Sequence, residues 1–168
     1  SLRRAGLAAP ATHVDYNTVK SGWPGALDAA RGAGIEYVVV AWIDEEDRKT
    51  IDDWKRIADR LNSAATTAAS AGLRLAYHNH SYEFAPLQGQ VPYDLLLAST
   101  DPKQVRLEMD LYWVTVGGRS PLDYFARWPG RFPLVHVKDS KGPPANTMTE
   151  VGSGVIGWKA ILAKHKEA

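Results

Sequence analysis

Apolar positions along the chain change period several times, and each change predicts an element. Over residues 51–71, Ile51, Trp54, Ile57, Ala58, Leu61, Ala64, Ala65 and Ala68 recur at helical spacing, and Gly72 stands where a C-terminal cap belongs. Just before this helix, residues 35–43 form an apolar, β-branched run bounded by acidic residues, the pattern of a buried strand. Similar runs predict strands over 8–16, 73–80, 105–113 and 132–138. Shorter helices are predicted over 25–31, 93–99, 121–128 and about 157–166, with Ser120 as N-cap and Pro121 in the first turn of the third. A basic helical stretch at 2–5 ends on Gly6, and the Gly/Pro-rich segment 142–154 predicts a loop.

Strict alternation of strand and helix implies parallel strands joined by right-handed crossovers. That leaves an α/β (βα)-barrel or an open doubly wound sheet, and both gather ligands at the C-terminal ends of their strands. At 168 residues the chain is expected to form a single domain, 1–168, with a core of its own.

Composition narrows the chemistry. The 20 basic residues nearly cancel the 19 acidic ones, so nothing electrostatic argues for a nucleic-acid or acidic-membrane partner. The absence of cysteine excludes disulfides, thiolate metal sites and cysteine nucleophiles, so any metal must be held by His, Asp or Glu. No apolar run approaches the roughly 20 residues of a membrane span and no signal-peptide pattern opens the chain, so a cytoplasmic location is expected. Gly152-Ser153-Gly154 lacks the third glycine or lysine of a phosphate fingerprint, which disfavours nucleotide binding. Six Trp and seven Tyr suit either core packing or stacking on sugar C–H faces.

Residues two apart on a strand share a face, and parity sorts the polar residues into sets. Ala11, His13 and Asp15 form one set, and Arg74, Ala76, His78 and His80 the next. Arg106, Glu108 and Asp110 follow, then Leu134, His136 and Lys138. Each set becomes polar toward the C-terminal end of its strand, where a parallel barrel carries its site. His and carboxylate together suit manganese, cobalt, magnesium or zinc.

Four stretches carry a family likeness: Leu75-Ala-Tyr-His-Asn-His-Ser-Tyr-Glu-Phe84, Leu107-Glu-Met-Asp-Leu-Tyr-Trp113, Val135-His-Val-Lys-Asp139 and Val151-Gly-Ser-Gly-Val-Ile-Gly-Trp158. They resemble the sugar phosphate isomerase/epimerase family of the xylose isomerase-like barrel superfamily, relatives of inosose dehydratases and ketose epimerases. The resemblance implies a metal held by acidic and His residues at the ends of the last four of eight strands. Asp110 and His136 would be the sixth- and seventh-strand ligands, and the fifth-strand ligand would be Glu83 or His78. The eighth-strand Glu has no counterpart, and only about five of eight strands are present, as in the central part of a TIM barrel. Two open sheet edges then predict truncation or completion by another chain, a homo-oligomer being one form of the latter. The loop around Ser153 and Gly157 lacks the Glu and Asp that relatives often carry there.

The implied activity is that of a metal-dependent isomerase or epimerase acting on a small-molecule carbohydrate through an enediolate. Glu83, Glu108 and Lys138 are candidate acid/base or oxyanion groups, and His78, His80, Trp113 and Lys138 candidate substrate contacts. Two alternatives stand beside this reading: a keto-sugar or keto-glycoside lyase or dehydratase on the same site, and a non-catalytic sugar-binding barrel fragment.

Overall fold

The computed structural model describes residues 2–168. Five strands, β1 (Ala11–Asp15), β2 (Tyr37–Trp42), β3 (Arg74–His78), β4 (Val105–Asp110) and β5 (Leu134–His136), lie in one sheet in chain order. The pairs β1–β2, β2–β3 and β4–β5 are parallel, as helical connections require. The chain divides into two compact units, Ser1–Tyr77 with Ser99–Arg106, and His78–Ala98 with Leu107–Ala168.

In the first unit, Val38, Val39 and Val40 of β2 are all fully buried, which explains why that strand reads as a continuous apolar run. Helices α1 (Tyr16–Ser21), α2 (Trp23–Ala33) and α3 (Ile51–Ser70) belong to this unit. The eight predicted apolar positions of α3 are all buried, and each fully buried Leu or Ile adds about 1.5–3 kcal/mol. Thr50 and Asp53 close a capping box at its start, and Gly72, at φ 75°, supplies the left-handed turn that ends it. Helix α1 was not predicted. Asp15 accepts hydrogen bonds from the Thr18 backbone N–H (2.7 Å) and hydroxyl (2.9 Å), so the chain passes from strand to helix without a loop, and six residues carry too little periodicity to betray it.

The second unit holds α4 (Pro92–Ser99) up to Ala98, together with α5 (Leu111–Val116), α6 (Pro121–Arg127) and α7 (Trp158–Ala163). Phe84, Tyr93 and Tyr124 pack at ring-centroid distances of 4.7–5.8 Å in its core.

Several predicted strands end early, each for a local reason. Asp110 caps α5 by accepting the Trp113 N–H at 3.0 Å, so Tyr112 and Trp113 are helical rather than extended. Strand β3 stops at His78, and His80 falls in the following turn, where the Glu83 carboxylate accepts its backbone N–H at 2.9 Å. His80 therefore does not share a strand face with His78. Strand β5 stops at His136, leaving Lys138 beyond it. Ser120 occupies the N-cap position of α6 but makes no side-chain cap bond.

The predicted loop contains a short antiparallel ribbon, β6 (Asp139–Ser140) with β7 (Met148–Thr149). Among the described residues no helix is long and apolar enough to cross a membrane.

Candidate metal centre

Three residues of the second unit, His78, Glu108 and His136, offer ligand atoms within 4.8 Å of one another. Each stands at or near the C-terminal end of a strand, which is why their parity was informative. Asp110 joins them. It pairs with His136 in the β4–β5 register and is completely buried.

The bonding of His78 fixes its orientation. Its Nδ1 lies 2.8 Å from Glu108 Oε2, and with Glu108 ionised, when it can only accept, the shared proton belongs on Nδ1. In the neutral ring the lone pair is then on Nε2, which faces Asp110 Oδ2 at 3.6 Å. His136 Nδ1 approaches the same oxygen at 3.7 Å and Glu108 Oε2 at 4.0 Å. The two imidazole rings are 5.1 Å apart between centroids.

Asp110 is held from several sides. Its Oδ1 accepts the Trp113 N–H, and its Oδ2 accepts Lys138 Nζ at 2.6 Å. The buried Asn79 amide locks its backbone, accepting the Asp110 N–H at 3.0 Å and donating to the Asp110 carbonyl at 3.3 Å. Burial above all, and then the Lys138 ammonium, hold the His136 imidazole below its ordinary pKa, while Asp110 and Glu108 pull it upward.

The donor set fits a divalent ion. Ligand bonds of about 2.0–2.2 Å put neighbouring donors on one ion roughly 3–3.5 Å apart, close to the separations of Asp110 Oδ2 from His78 Nε2 and His136 Nδ1. With an ion on His78, Glu108 would take the part usual for a carboxylate behind a ligating histidine, fixing its tautomer and ring orientation.

The remaining candidates spread around this centre. Glu83 is buried and accepts the His80 N–H. The His80 ring is tilted against His78 and Trp113 at 5.1 and 5.6 Å and stacks on Tyr82 at 5.6 Å. Lys138 Nζ lies 5.8 Å from the Trp113 ring centroid. Glu108 Oε2 lies 2.8 Å from His78 Nδ1 and 4.0 Å from His136 Nδ1.

Two residues escaped the sequence reading. Asn79 sits between two histidines that drew the attention, and its bond to a strand 31 residues away leaves no local signal. Asp139 is the other. Its buried carboxylate accepts from the backbone N–H groups of Ser140, Gly152, Gly154 and Ile156 and from the Trp158 indole, gathering the whole loop after β5.

Residues 6–167 match the sequence model of the xylose isomerase-like TIM barrel family. An inosose dehydratase of Lacticaseibacillus casei is 30% identical over 141 residues, a match covering 74% of this chain and 47% of that protein. A sugar phosphate isomerase/epimerase from Parabacteroides distasonis superposes with a TM-score of 0.84 at 26% identity, covering 98% of this chain and 61% of the other. The IOLI protein, solved with a binding zinc atom, shares the fold at TM-score 0.74 and 18% identity, over 94% of this chain and 62% of its own. The chain spans about half the length of the curated relatives it matches, and its five strands are those of an incomplete (βα)-barrel, a complete one having eight.

Proposed function

The chain belongs to the xylose isomerase-like TIM barrel family, and on that premise we propose that it carries the metal-holding centre of a lyase that dehydrates a keto-sugar or a related keto-cyclitol. The observation that supports this most is the orientation of His78 by Glu108, which turns Nε2 toward Asp110 Oδ2 and the neighbouring His136.

In this reading His78, Asp110 and His136 are the ligands and Glu108 positions His78. His78 thus takes the place that the resemblance left open between it and Glu83. A divalent ion bound there would act as a Lewis acid on the substrate carbonyl, easing loss of the neighbouring C–H proton. Dehydration follows when the hydroxyl on the next carbon leaves with a proton. Lys138 offers an ammonium to the oxygen on which negative charge develops, and Trp113 and His80 offer ring faces and edges to the carbon skeleton.

An isomerase or epimerase would begin with the same proton abstraction but return the proton to carbon, and the 26% identical structural relative is named for that activity. The relatives named inosose dehydratase, 30% identical, favour elimination. Incubation with an inosose in deuterated buffer separates the two: an absorbing enone product marks the dehydratase, whereas deuterium in recovered substrate without loss of water marks the isomerase. The metal reading predicts that Asp110→Asn and His136→Ala each abolish divalent-metal binding in calorimetry. Undiminished affinity in both would overturn it.

A further inference from the structure

Resting on that metal-centre reading, we infer that the Lys138 ammonium and a divalent ion compete for the same Asp110 oxygen, so that Lys138 is displaced from Asp110 when the ion binds. The inference begins with the two oxygens of Asp110. Oδ1 is engaged by the Trp113 N–H. Oδ2 is the atom that faces both His78 Nε2 and His136 Nδ1, and it is also the atom that holds Lys138 Nζ at 2.6 Å.

A fully buried carboxylate needs a compensating charge, and the Lys138 ammonium supplies it. A divalent ion on Oδ2 would supply more charge from nearly the same place, and two cations on one oxygen repel strongly at that range. The ammonium is the one able to move, because it rides on a flexible four-carbon stem and its side chain is 25% exposed. It keeps a favourable neighbour as it withdraws: the Trp113 ring centroid is 5.8 Å from Nζ, near enough for a cation–π contact. Metal loading thus moves the Lys138 ammonium away from Asp110. The centre keeps its carboxylate neutralised when empty and presents a cation to an incoming anionic or carbonyl oxygen when filled.

The test is titration of the chain with Co2+ alone, followed by visible absorption and calorimetry, in wild type, Lys138→Met and Lys138→Gln. Removing the competing ammonium is expected to tighten Co2+ binding about tenfold in Lys138→Met, the order of one charge-assisted bond. Lys138→Gln, which keeps a donor for Asp110 and guards against loss of the fold, is expected to lie between. The metal-induced rise in Tm is expected to be larger in Lys138→Met than in wild type. Equal or weaker Co2+ affinity in both variants overturns the displacement. If Asp110→Asn binds Co2+ as tightly as wild type, the metal centre itself falls. If Asp110→Asn loses binding while the Lys138 variants match wild type, only the displacement falls.

Discussion

A single proton position organises the centre. Glu108 holds the proton of His78 on Nδ1, so the opposite nitrogen is the one turned toward Asp110. Glu108→Gln preserves the shape but weakens the acceptor and allows the side-chain amide to donate instead, which releases the imidazole to the other tautomer. Metal affinity is expected to fall by about 10–100-fold, read by titration against a chelating dye. A much smaller loss would mean that His78 is oriented by something else. Glu108 and Asp110 are two residues apart on β4, and they meet opposite nitrogens of His78, Glu108 at Nδ1 and Asp110 at Nε2.

At the scale of elements, the segment after β5 is a loop tied to one carboxylate. Burial alone would raise the pKa of Asp139, but the Trp158 indole and the N–H groups of Ser140, Gly152 and Ile156 outweigh it and hold the pKa at about 2, below the ordinary 3.8. The approach is close enough to forbid a side chain at Gly154, where a Cβ would run into Ser140 O and the Asp139 carboxylate. Because the folded pKa is depressed, the stability Asp139 contributes is fully present above pH 3.8 and is lost as the pH falls toward 2. Urea unfolding between pH 5 and 2 is therefore expected to show a steeper acid loss in wild type than in Asp139→Asn. At neutral pH that variant is expected to be less stable by about 1.5–3 kcal/mol, the scale of a hydrogen bond to a charged group. Parallel pH profiles would show that the loop is held by other contacts.

For the molecule as a whole, a metal that binds only the folded chain couples the site to global stability. At a free metal concentration 100 times Kd the stabilisation is about 2.7 kcal/mol. Thermal melts with and without a chelator are expected to differ accordingly in wild type and to coincide in Asp110→Asn. The sequence by itself determined the alternation of strands and helices, the capping glycine after α3, and the gathering of His78, Asp110 and His136 at strand ends. Those features follow from local periodicity and from short motifs, each confined to a few consecutive residues. Which histidine nitrogen faces Asp110, and how Asn79, Lys138 and Asp139 are used, were decided only by the tertiary structure. Each depends on a bond between groups far apart in the chain, such as Asn79 with Asp110, Lys138 with Asp110, or Asp139 with Trp158. A parity rule can name the face of a strand, but only the folded chain brings a second strand's carboxylate to one particular atom of an imidazole.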